Sequence, residues 1–93
     1  MTQRANRMRQ TLEARFQPAL LEITDDSARH AGHAGASPGG ETHYSVHIVS
    51  ALFAGLSRVA RSRAVHEALA GEFASGLHAL ALRLQSPEEA KGS

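Results

Sequence analysis

The chain has no cysteine, which removes disulfides, thiolate nucleophiles and every all-thiolate metal site from consideration. Tryptophan is also absent, and tyrosine and phenylalanine together number only four (Phe16, Tyr44, Phe53 and Phe73). Leu, Val, Ile and Ala must therefore fill the core, and few rings are available for stacking on bases. No stretch approaches the roughly 20 consecutive apolar residues of a membrane span. The first fifteen residues carry four arginines and no apolar run, so no signal-peptide pattern opens the chain. A cytoplasmic, soluble protein is the expectation. Charge of one sign is lacking as well: ten basic side chains against nine acidic give +1, whereas nucleic-acid binders are usually markedly basic.

What is present fits one small domain. Ninety-three residues leave no room for a second core, and a chain this short buries only about 60–65% of its unfolded surface. Histidine is the surplus. His30, His33, His43, His47, His66 and His78 titrate near neutrality and are potential metal ligands.

Periodicity orders the chain. Ala5, Met8, Leu12 and Phe16 recur at helical spacing, so residues 2–16 read as a helix capped by Thr2 and stopped by Pro18, with Arg4, Arg7, Arg9 and Arg15 in solvent. Residues 19–26 read as a first strand. Ser27 to Gly40 is a Gly/Ala/His/Ser loop of about 14 residues, well beyond an ordinary hairpin. In residues 42–49 Tyr44, Val46 and Ile48 alternate with His43, Ser45 and His47, the pattern of a strand with one dry and one wet face. A turn at 53–57 precedes a helix over 58–74, ended by Gly76 in a left-handed conformation, and 77–85 read as the last strand. Residues 1–86 form the domain, and 87–93 are expected to be a flexible tail. Helix, strand, strand, helix, strand is the order of an α+β fold: a three-stranded sheet with helices packed on one face.

The blocks Leu21-Glu22-Ile23-Thr24-Asp25-Asp26-Ser27, Arg29-His30, Gly40-Glu41-Thr42-His43-Tyr44, Phe53-Ala54-Gly55-Leu56-Ser57, Arg61-Ser62-Arg63, Leu69-Ala70-Gly71-Glu72-Phe73 and Leu77-His78-Ala79-Leu80-Ala81-Leu82 resemble, in the same order, those of BolA proteins. The likeness runs from about Met8 to Leu84. It implies a fold similar to the class II KH domain, association with a monothiol glutaredoxin, a shared [2Fe–2S] cluster with glutathione supplied by the glutaredoxin, and a role in iron homeostasis. It also implies that the cluster ligands are a His opening the last strand, here His78, and a His or Cys of the long loop, here His30, with His33 as the second candidate. Bacterial members are also described as DNA-binding transcriptional regulators. Where the family usually has Arg-His-Arg, this chain has Arg61-Ser62-Arg63, so any role of that middle His is absent.

The residues themselves leave more open. By parity with Leu80 and Leu82, His78 alone would read as a core-edge residue. His30 and His33 sit in a loop that cannot bury them. His43 and His47 lie about 13 Å apart at ~3.3 Å per residue, too far to chelate one ion together. His43 reads as an exposed face residue and His66 as a solvated one. Two imidazoles make an incomplete site, since a closed zinc or cluster site takes four ligands. The missing thiolates must then come from another chain, although an adventitious zinc or a metal-bridged homodimer would also use two histidines.

The alternative function is nucleic-acid binding. Arg58, Arg61 and Arg63 cluster at the start of the second helix, where free N–H groups and the dipole favour phosphate. A G-x-x-G clamp of the KH kind is missing from the corresponding turn, which offers only Gly55. No nucleophile elbow, carboxylate pair or Walker loop is present, so an enzyme is not expected. The isolated chain is expected to be a monomer or weak homodimer.

Overall fold

The computed structural model describes residues 3–26 and 42–92. Helix α1 (Gln3–Phe16) leads to strands β1 (Leu20–Asp25) and β2 (His43–Val49). A single 3-10 turn (Ala51–Phe53) follows, then helices α2 (Arg58–Ala68) and α3 (Ala70–Ala74), strand β3 (Ala79–Gln85) and a short helix α4 (Pro87–Gly92). The sheet order is β1-β2-β3. Strand β1 runs antiparallel to β2, and β3 runs parallel to it with His43 opposite Ala79 and Ile48 opposite Leu84. This is the expected α+β architecture.

Helical and strand periods meet in one core. Ala5, Met8, Leu12 and Phe16 from α1 pack with Tyr44, Val46 and Ile48 from β2 and with Phe53, Val65, Leu69 and Leu77. Leu80, Leu82 and Leu84 of β3 close its edge, partly buried. His43, Ser45 and His47 are left on the opposite, wetter face, as strict alternation requires. There His47 bridges the sheet: Nδ1 is 3.3 Å from Glu22 Oε1 on β1 and Nε2 is 2.8 Å from Gln85 Oε1 on β3.

Turn chemistry sets the element ends at three points. Gln17 takes the left-handed conformation (φ 46°) that ends α1 before Pro18. Ser57 caps α2, its hydroxyl accepting from the Ala60 N–H at 3.1 Å. Gly76 (φ 125°) turns the chain into β3, and a Cβ built there would stand 3.3 Å from Arg4 Nη2.

Three expectations are corrected. Arg4 is not in solvent: its guanidinium is buried and donates to the Glu72 carbonyl (3.0 Å), Glu72 Oε1 (2.8 Å), the Ser75 hydroxyl (3.0 Å) and the Ser75 carbonyl (3.1 Å). The helix over 58–74 breaks at Leu69, which is buried and carries φ −102°, ψ 15°. Residues 87–92 are helical, not a loose tail. Ser86 Oγ accepts from the Glu89 N–H (3.3 Å), Glu89 Oε1 accepts from the Ser86 N–H (2.7 Å), and Pro87 is the first helical residue. That is a reciprocal capping box with proline where its missing N–H costs nothing.

Candidate metal-ligand site

Because β2 and β3 are parallel, both begin at the same end of the sheet, and each brings a histidine there. His78 stands immediately before β3, and its N–H and that of Ala79 both donate to the Thr42 carbonyl, at 2.9 and 3.1 Å. Its side chain is exposed, and its ring makes no hydrogen bond among the described residues. His43 opens β2. Its Nδ1 lies 2.9 Å from the Thr42 hydroxyl, which fixes the ring's orientation. The two rings meet edge to face with centroids 6.1 Å apart.

Beside them Asp26, His43, Tyr44, Ala79 and Leu80 line a shallow concavity of about 250 Å³. Asp26 is held there by the Ser45 hydroxyl, which donates to its carboxylate. Among the described residues no group of three or more His, Asp or Glu side chains could hold a metal ion. The described part of this end therefore brings two imidazoles together on a backbone pinned by sheet bonds.

A model of the family described as BolA-like protein matches residues 12–89. The chain belongs to the BolA-like protein family. It is 43% identical over 90 residues to SufE-like protein 1, chloroplastic/mitochondrial, of Arabidopsis thaliana, a match that covers 92% of this chain and 24% of that protein. The solved BolA domain of SufE1 from the same plant superposes with a TM-score of 0.86 at 42% identity, covering 96% of this chain and 98% of that one. DNA-binding transcriptional regulator BolA of Vibrio cholerae serotype O1 is 40% identical over 78 residues, covering 84% of this chain and 70% of the relative. The chain thus spans about a quarter of one plant relative, and it spans 55% of another, Protein BOLA1, chloroplastic.

The BolA-like fold sorts the histidines. His78 is exposed at a strand start and not the core-edge residue that parity with Leu80 implied; strand geometry begins only at Ala79. His30 and His33 lie outside the described residues. His66 is exposed and stacks on Phe73 with centroids 5.3 Å apart, while its ring is 2.9 Å from the Ser62 carbonyl. Sequence reasoning passed over His43 as a neighbour of His78. The signal was available only in the topology, because residues 35 apart meet when the strands they open run parallel.

The three arginines of α2 separate. Arg61 is buried and is a structural residue, which corrects its assignment as a phosphate contact. Its Nε donates to the Leu56 carbonyl (3.0 Å), its Nη1 to the Leu84 carbonyl (3.1 Å) and to Glu89 Oε1 (2.6 Å), and its guanidinium carbon lies 5.9 Å from the Phe53 ring centroid. Hydrogen bonds from Arg61, and then from the Ser86 backbone, hold the Glu89 carboxyl down to about 2. Arg58 and Arg63 are exposed, but five residues apart they point about 140° from each other around the helix. No helix among the described residues is long and apolar enough to cross a membrane.

Proposed function

We propose that this protein is a partner-binding module that pairs with a monothiol glutaredoxin and shares or transfers a [2Fe–2S] cluster, as part of iron homeostasis. His78 is the first of the two ligands this domain contributes. The observation that carries the reading is the exposed His78 ring, unbonded among the described residues and mounted on backbone fixed by Thr42. Imidazole can replace thiolate on one iron of such a cluster, and a chain without cysteine brings imidazole alone. The thiolates would come from the glutaredoxin and its glutathione.

The second imidazole comes from His30 or His33 in the long loop, or from His43. Support for His43 is distance. Two imidazoles on one metal at ~2 Å stand with centroids about 5 Å apart, and the His43 and His78 centroids are 6.1 Å apart.

The test is titration of the apo-protein with cluster-loaded monothiol glutaredoxin, followed by visible circular dichroism. The wild-type chain is expected to convert the glutaredoxin homodimer spectrum into that of a mixed complex. His78→Ala is expected to leave the homodimer spectrum unchanged while its far-ultraviolet spectrum stays native. Conversion by His78→Ala equal to wild type would remove the proposal. His30→Ala, His33→Ala and His43→Ala, made separately, identify the second ligand.

A second reading, a DNA-binding regulator, draws on the name of the Vibrio cholerae relative and on the exposed Arg58 and Arg63. Its affinity would fall steeply with salt and weaken on Arg58→Gln. Arg61→Ala is not a clean probe, because it removes a buried structural cation. Absence of DNA binding at low salt would dismiss this reading.

A further inference from the structure

The sheet end that carries both histidines is organised around one buried residue, Thr42. Its carbonyl accepts two consecutive amides, the His78 N–H at 2.9 Å and the Ala79 N–H at 3.1 Å. Its hydroxyl lies 2.9 Å from His43 Nδ1. The carbonyl therefore sets where the chain enters β3, and the hydroxyl sets the pose of the neighbouring ring. The His43 backbone is held separately, because its carbonyl accepts from the Asp26 N–H at 2.7 Å. What the Thr42 hydroxyl governs is thus the His43 side chain and its proton.

A hydroxyl and an imidazole nitrogen can share a hydrogen bond in either direction. With the proton on Nδ1, that group donates to Thr42 Oγ1, and the lone pair a metal takes is on Nε2. With the hydroxyl as donor, Nδ1 is the acceptor and Nε2 carries the proton, which ligation would first have to remove. Metal-ligating histidines give their other ring N–H to an oxygen that fixes both tautomer and orientation. A buried threonine suits that task, since its branched side chain is stiff about χ1. The His43 ring it orients stands edge to face with the His78 ring, centroids 6.1 Å apart.

We propose that Thr42 is the positioning residue of the imidazole pair. Its hydroxyl accepts from His43 Nδ1–H and holds that ring in the tautomer whose Nε2 can bind a metal, while its carbonyl fixes the mount of His78. Thr42 touches no metal and acts only through the two histidines. Its use in metal binding rests on the cluster reading; the tautomer itself is a property of the apo chain. Serine at this position keeps the hydroxyl, and valine keeps the shape and the carbonyl, so the hydroxyl can be separated from the His78 mount.

Long-range nitrogen–proton correlation spectra of the apo chain read the tautomer directly at about pH 8.5, well above the ordinary histidine value of ~6.5. His43 is expected as Nδ1–H in wild type and in Thr42→Ser. In Thr42→Val it should shift toward Nε2–H, the form neutral histidine prefers in water, with the far-ultraviolet spectrum unchanged. In titrations with cluster-loaded monothiol glutaredoxin, Thr42→Val should convert the cluster spectrum with roughly tenfold weaker affinity than wild type, and Thr42→Ser should match wild type. A wild-type His43 found as Nε2–H would overturn the proposal without need of any variant. So would a folded Thr42→Val chain that keeps the Nδ1–H form, or one that converts the cluster as wild type does. Failure of the wild-type chain to form any mixed complex would remove the cluster reading instead, and the apo-chain tautomer would still decide the part played by the hydroxyl.

Discussion

Replacing Arg4 should cost far more than replacing Arg7, although both reach the same carboxylate. The Arg4 side chain is 11% exposed and the Glu72 side chain 15%, whereas Arg7 is 50% exposed. Among the described residues Arg4→Ala deletes four hydrogen bonds, two of them to carbonyls at the end of α3 (Glu72 and Ser75). Removing one partner of a fully buried ion pair costs about 3–5 kcal/mol. Arg7 remains on Glu72 after the substitution and softens the loss, so we expect about 2–4 kcal/mol for Arg4→Ala. For Arg7→Ala, which takes away a solvent-screened pair at 2.9 Å, about 0.5–1 kcal/mol is expected. A chain of this length has a total stability of about 5–14 kcal/mol, and each kcal/mol moves the midpoint by roughly 4–8 °C. The Arg4 variant should thus melt at least about 8 °C below wild type and the Arg7 variant within about 8 °C of it. Arg4→Met keeps the aliphatic stem and separates packing from hydrogen bonding. Equilibrium urea unfolding of the three variants is the assay. Arg4→Ala and Arg7→Ala agreeing within about 0.5 kcal/mol would refute the reasoning, because burial would then make no difference.

The Arg7 hydrogen bond first, then the Arg7 and Arg4 charges, outweigh burial and hold the Glu72 carboxyl below its ordinary value of 4.5. A depressed acid stabilises the fold above its unfolded pKa and loses that contribution as pH falls through the folded value; urea unfolding at neutral and acid pH should show Glu72→Gln losing less stability on acidification than wild type. Glu89, held at about 2 by Arg61, should titrate near that value in carboxyl carbon shifts, and Arg61→Lys should move its midpoint up; an ordinary midpoint in the wild-type chain would dissolve the α4 docking described above. Ser50 is fully buried, donating to the Phe16 carbonyl at 2.6 Å and accepting from the Leu52 N–H at 3.1 Å. Ser50→Ala should cost about 1–3 kcal/mol in urea unfolding, and a loss under ~0.5 kcal/mol would contradict that pairing.

The architecture was readable where hydrophobic period and face coincide. The α1 stripe and the β2 alternation name core residues outright, and Tyr44, Val46 and Ile48 are buried as alternation requires. Arg4 was misread because charge was weighed over position. It lies four residues before Met8 on the buried side of α1, and an arginine can bury its stem there if its head finds acceptors. The break at Leu69 carries no local mark, since Ala68, Ala70 and Leu69 are all good helix formers. The last helix was written plainly in Ser86-Pro87-Glu88-Glu89, a capping box read as a polar tail.

At the site, the resemblance supplied His78 while periodicity pulled it toward the core. The exposure of that ring follows from where β3 begins, one residue later. Its neighbour His43 was invisible to spacing rules, which work within one element, because the two meet through the parallel β2–β3 register. Likewise the arginines of α2 form a cluster only in one dimension. Helical rotation parts Arg58 from Arg63, and Arg61 turns inward to Leu84 and Glu89.

Pulsed electron paramagnetic resonance of the reduced cluster in the mixed complex measures the nitrogen ligation on which the functional account rests. The account predicts strong imidazole nitrogen-14 couplings in the wild-type complex and none of them in the mixture with His78→Ala, where the cluster stays on the glutaredoxin alone. A wild-type spectrum with no histidine nitrogen coupled to iron, or an unchanged set of couplings in the variant, would contradict it.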